Sequence, residues 1–126
     1  MDADVIIQTL AGRRSAVELL ARLTPSGSAV SLITIGEVYE RAFDSVTPPA
    51  HLVIFRALLH PFEQVGLNEP IVERFAEVRS WLRHRGQLIS DFDILVAATA
   101  LHYDFTVLTY NLRHFQRIPE LRVFHL

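Results

Sequence analysis

The chain has 126 residues, half of them hydrophobic and 21% charged, with a formal net charge of -2 and no cysteine. That composition argues against a disordered chain, the lack of cysteine excludes a disulfide scaffold, and the length suits one domain spanning residues 1–126. A net negative charge gives no global attraction to nucleic acid, so any such binding must be local. All 12 basic residues are arginine and none is lysine. A Walker A phosphate loop and Schiff-base catalysis each need a lysine amine, so both are excluded. No apolar run approaches the roughly 20 residues a bilayer requires, and Asp2 and Asp4 stand where a signal peptide carries positive charge. A cytoplasmic location without membrane contact is expected.

In chain order, the opening MDADVIIQTLAGRR carries Val5, Ile6, Ile7 and Leu10 and then Gly12, the pattern of a short helix and its stop. Ser15 to Leu23 reads as a second helix, capped by Ser15 and ended before Pro25. Ala29 to Ile33 (AVSLI) reads as a short buried strand, with Thr34 starting a helix to about Asp44. Pro48 and Pro49 punctuate, and a fourth helix is expected from Ala50 to His60. Gln64 to Leu67 suits a strand. Asn68 then caps an amphipathic helix with Pro70 in its first turn and Ile71, Phe75, Val78 and Leu82 on one face. Gly86 ends it. The stretch LISDFDILVAATAL follows, a helix from Asp91 to Tyr103. Thr106 to Thr109 (TVLT) is a β-branched strand, Leu112 to Phe115 a helical turn, and Leu121 to Phe124 a last strand.

Short apolar strands alternating with helices imply a parallel sheet covered on both faces, a three-layer α/β/α sandwich. In such folds the ligand crevice lies beyond the carboxyl ends of the strands. The acids fall at those ends: Asp2 and Asp4 at the first junction, Glu37 after AVSLI, Asp91 and Asp93 after Gly86. Asn111 follows TVLT. Singly, each has a plain structural reading. Thr34 with Glu37 fits a capping box, and Ser90 with Asp93 resembles one with a shorter acid. Gathered at one sheet edge they repel, and such a cluster is tolerated when a cation compensates. Oxygen ligands without cysteine suit Mg²⁺ or Mn²⁺ rather than Zn²⁺.

These residues resemble the PIN-domain ribonucleases, in particular the VapC-like toxins of type II toxin–antitoxin systems. Asp2-Ala3-Asp4-Val5-Ile6-Ile7 has the aspartate, small residue, second polar residue and aliphatic run with which that family opens. Ser31-Leu32-Ile33-Thr34-Ile35-Gly36-Glu37 matches its second element. Gly86 through Asp91 and Asp93 to Ala98 matches the third, and Leu108-Thr109-Tyr110-Asn111 through Phe115 to Ile118 the fourth. The order, spacing and length all agree. The resemblance implies metal-dependent cleavage of RNA, with Asp2, Glu37 and Asp93 as catalytic, metal-binding acids and Asp91 as an additional metal-site acid. It also implies Mg²⁺, with Mn²⁺ able to substitute, a cognate antitoxin protein laid across an apolar groove of the early helices, and a homodimer.

Two positions depart from the family pattern. Asn111 stands where many relatives carry a fourth acid, so a second ion lacks a protein carboxylate until substrate phosphate supplies oxygens. Only Met1 precedes Asp2, where relatives have an apolar strand. The first strand is therefore expected to be truncated, or the start to lie upstream, with the cost falling on the placement of Asp2.

Arg79, Arg83, His84 and Arg85 crowd the end of the amphipathic helix, either as a solvated face or as holders of RNA phosphates with Arg13 and Arg14. Arg83, Arg85, Asn111 and His114 are the RNA-binding candidates. Tyr110 and Phe92 sit beside the acids and suit base stacking, though a core position is the ordinary one for Phe92. Trp81 fits core, dimer or antitoxin contact equally. The alternative function is a catalytically degenerate PIN-like domain that only binds protein or RNA. A phosphoaspartate enzyme, suggested by the Asp2/Asp4 spacing, is disfavoured by the absence of lysine.

Overall fold

The computed structural model describes residues 1–23 and 28–126, apart from the side chains of Leu20 and Leu23. It has two compact units: Met1 with Ala3–Val65, and Asp2 with Gly66–Leu126.

The first unit contains α1 (Ala3–Leu10), α2 (Arg14–Leu23), β1 (Ala29–Ser31), α3 (Leu32–Phe43), α4 (Pro48–Leu59) and β2 (Glu63–Val65). The expected role of Pro25 in ending α2 lies outside the described residues. β1 and β2 pair in parallel, with Val30 opposite Gln64. α1 buries Ala3, Val5 and Ile6. α3 buries Thr34, Ile35, Val38 and Ala42, the spacing of one helical face.

Several expected boundaries in this unit are corrected. α2 starts at Arg14, so Ser15 lies inside the helix and is not its cap. The first strand of AVSLI stops at Ser31, because the Ser31 hydroxyl accepts from the Ile33 N–H at 3.1 Å and turns the chain into α3. Ser31 is therefore the cap, and Thr34 is not. The Thr34 hydroxyl lies buried within the helix and donates to the Met1 carbonyl at 3.0 Å. α4 starts at Pro48 rather than Ala50: the two prolines fill its first turn, where a missing N–H costs nothing and the fixed φ suits a helix. β2 lies at Glu63–Val65, ending before Gly66 and Leu67.

The second unit contains α5 (Glu69–His84), α6 (Asp91–Tyr103), β3 (Thr106–Thr109), α7 (Leu112–Phe115) and β4 (Arg122–His125). The Asn68 side chain accepts from the Ile71 N–H at 3.0 Å, the cap expected from the sequence. Ile71, Val78 and Leu82 are buried on the face read from the pattern, and Phe75 is half-buried. Fully burying a side chain such as Leu82 is worth roughly 1.5–3 kcal/mol. Gly86 has φ +65, a conformation that strains any residue with a Cβ, which is why the helix ends there. α6 buries Ile94, Val96, Ala97, Ala98 and Ala100, so it is enclosed on several sides rather than striped. β3 and β4 run parallel, Thr106 opposite Arg122 and Thr109 opposite His125. β4 begins and ends one residue later than the sequence pattern suggests. None of the described helices is long and apolar enough to cross a membrane.

Candidate metal centre

Residues 1 and 2 form no strand, yet Asp2 is held firmly. Its N–H donates to the Leu108 carbonyl at 2.9 Å, and its Oδ2 accepts from the Thr109 hydroxyl at 2.9 Å. Thr109 also accepts from the Asn111 N–H at 2.8 Å. One buried hydroxyl at the end of β3 thus places the Asp2 carboxylate and shapes the turn that carries Asn111. With Asp2 only 6% exposed, those bonds meet the cost expected from a short first strand.

Asp93 is set by the start of α6. The Ser90 hydroxyl accepts from the Asp93 N–H at 3.2 Å, so the cap and the acid belong to one turn. The Asp93 Oδ2 lies 3.1 Å from His114 Nδ1, and the same nitrogen lies 2.8 Å from the Asn111 side-chain amide. One imidazole nitrogen cannot donate to the carboxylate and accept from the amide together. With the proton on Nδ1 it donates to Asp93, and Asn111 then turns its carbonyl oxygen toward the ring. This orients the Asp93 carboxylate from behind, as partners of metal-binding carboxylates do.

Glu37, half-buried, comes from the second turn of α3. One carboxylate oxygen from each of Asp2, Glu37 and Asp93 falls within 4.8 Å of the other two. Oxygens on opposite sides of a Mg²⁺ or Mn²⁺ ion stand roughly 4–4.5 Å apart, so the spacing suits one shared ion. The donor set agrees: three hard carboxylate oxygens, with no thiolate and no histidine in the group. Three acids at this range repel one another strongly unless a cation stands among them.

Asp91 is placed elsewhere. Its Oδ1 accepts from Arg79 Nε at 2.8 Å, and it does not belong to the group of three. Arg79 is therefore engaged by an acid of its own chain. Arg83 and Arg85 are exposed near the end of α5, and the Arg85 guanidinium lies 4.1 Å from the centre of the Trp81 ring. Arg14 pairs with Glu18 at 2.9 Å. Phe92, whose ordinary place would be a core, is instead 48% exposed. The sequence shows Ser90 as a cap beside Asp93 but gives no role to Thr109, which positions Asp2. The alternation in TVLT was the available signal for Thr109, since it puts Val107 and Thr109 on the buried face.

The PIN domain family model matches residues 1–121. This chain is a PIN-domain protein. Over 94 residues it is 35% identical to ribonuclease VapC1 of Methanocaldococcus jannaschii, covering 75% of this chain and 66% of that protein. Its structure is similar to a chain of VapBC2 from Rickettsia felis bound to a promoter DNA fragment, with TM-score 0.91 and 21% identity over 99% of this chain and 96% of that one. A toxin–antitoxin complex from Klebsiella pneumoniae contains a chain with TM-score 0.78 and 25% identity, covering 99% of this PIN-domain chain and 97% of that one. The α/β fold with parallel strands and the VapC-like resemblance read from the sequence both hold.

Proposed function

We propose that this PIN-domain protein is a divalent-metal-dependent endoribonuclease, the toxin of a toxin–antitoxin pair, acting in the cytoplasm as a homodimer. The observation that carries the reading is the convergence of Asp2, Glu37 and Asp93 oxygens within 4.8 Å. These three acids would hold Mg²⁺, or Mn²⁺ in its place. The ion, when bound, supplies an activated water and neutralises charge developing on the scissile phosphodiester. The chain's own residues do the rest. Thr109 aims the Asp2 carboxylate and His114 the Asp93 carboxylate, so neither acid must reorganise when substrate arrives. Arg83 and Arg85 offer charge-assisted hydrogen bonds to RNA phosphates, which a chain of net charge -2 must supply locally.

An antitoxin partner is supported by the toxin–antitoxin complex to which this fold is similar. The first unit has a groove of about 550 Å³ lined by Ile7, Leu10 and Ala11 of α1 and by Ile54 and Phe55 of α4. It suits the apolar face of a partner helix.

The test is direct. Purified protein cleaves single-stranded RNA with Mg²⁺ or Mn²⁺, stops on chelation and resumes when the ion is restored. Calorimetry gives a Mn²⁺ affinity that Glu37→Gln removes. Intact RNA under all metal conditions would sink the enzyme reading. The second reading, a domain that only binds, is favoured by Asn111 at the place of a fourth acid, and it predicts no Mn²⁺ affinity that depends on Asp2, Glu37 and Asp93.

A further inference from the structure

We propose that Phe92 is a base-stacking platform, holding a nucleobase of the RNA strand beside the phosphodiester presented to Asp93. The inference rests on the ribonuclease reading above and names how that site grips its substrate. Phe92 lies between Asp91 and Asp93 on the first turn of α6. Its Cα is one peptide step, about 3.8 Å, from that of Asp93. Consecutive helical side chains project about 100° apart, so the ring flanks the buried carboxylate rather than pointing to the far side of the helix.

The ring is exposed on a backbone that is pinned on both sides. The Ser90 hydroxyl accepts from Asp93 N–H, and Arg79 holds Asp91 at 2.8 Å. Arg117 Nη1 donates to the Gln87 and Leu88 carbonyls at 3.2 and 3.4 Å. These bonds hold the backbone around the ring in place. Among the described residues, no ring or guanidinium packs on it. Tyr103 and Phe105, exposed at the other end of α6, stack on each other instead, with centroids 5.3 Å apart.

Charge favours the same occupant. Arg79 neutralises Asp91, the acid on the solvent side of the ring, so an approaching phosphate strand meets no unpaired carboxylate there. A phenyl group has no polar handle, and its flat apolar face is what an unstacked base recognises. Such a contact tolerates any base, because every base has a π-face.

The experiment maps a cut site on a 20-nucleotide single-stranded RNA, then compares wild type with Phe92→Ala, Phe92→Leu and Phe92→Trp. Each is also tested on the same RNA carrying an abasic nucleotide on one side of the cut or the other. Phe92→Ala and Phe92→Leu should lose about 5- to 150-fold in kcat/KM, chiefly through KM, and Phe92→Trp should retain activity. One abasic RNA should cost wild type a similar factor and cost Phe92→Ala nothing more. Unchanged melting and Mn²⁺ affinity establish that the variants fold. The proposal is overturned if Phe92→Leu cleaves like wild type, if the abasic and Ala losses multiply, or if Phe92→Ala weakens only antitoxin binding. Wild type that cuts no RNA would instead remove the ribonuclease reading itself.

Discussion

Asp91 and Asp93 stand two residues apart on the first turn of α6. Asp91 has a side chain 59% exposed and bound to Arg79, whereas that of Asp93 is 12% exposed and bound to His114. Two helical residues turn about 200° around the axis, so a pair of this spacing faces opposite sides. One side meets solvent and the end of α5. The other meets α7 and the group formed with Asp2 and Glu37. An Asp-x-Asp motif on a helix therefore supplies one carboxylate to a buried site and leaves the other to a different task. Here that task is to neutralise Arg79 and complement the helix N-terminus, worth about 0.3–1 kcal/mol.

The contrast makes graded expectations. Asp93→Asn keeps the shape and the Ser90 cap but removes a carboxylate from the group of three. It should lower RNA cleavage by about 10²–10³-fold or more, with circular dichroism unchanged, and equal activity in this variant would refute the role of Asp93. His114→Ala leaves the three acids and removes the group that orients one of them. A loss of about 10- to 100-fold in Mn²⁺ affinity or activity is expected, as for other groups standing behind a ligand. Calorimetric titration reads it, and no change in Mn²⁺ binding would make His114 a bystander. Asp91→Asn should do least. Its ion pair is solvent-exposed, so stability falls by about 0.2–1 kcal/mol in urea melts. Activity changes by no more than about fivefold, the factor that matches about 1 kcal/mol. A collapse as deep as that of Asp93→Asn would put Asp91 among the metal-site acids after all.

Much of the candidate site is legible in the sequence. Glu37 follows the predicted strand AVSLI, Asp2 and Asp93 stand where predicted helices begin, and the oxygen-only donor set pointed to a hard cation. The boundaries were less legible where two signals competed. Thr34 with Glu37 satisfies the capping-box pattern, but Ser31 reaches the first free N–H sooner and takes the cap. Thr34 is then left inside the helix with its hydroxyl on the Met1 carbonyl. Pro48 and Pro49 read as punctuation because proline both stops helices and starts them, and the sequence does not say which.

The amino-acid sequence by itself determined the alternation of helices and strands, the buried face of α5, and which residue types were available for chemistry. Those follow from local propensity and from periodicities of 3.6 and 2, which short stretches carry within themselves. Tertiary structure alone decided which carboxylates meet, that Thr109 and His114 aim two of them, and that Asp91 goes to Arg79 instead. Those outcomes depend on where distant segments lie in space. Asp2 and Thr109 are 107 positions apart, and no local pattern carries a trace of the 2.9 Å bond that joins them.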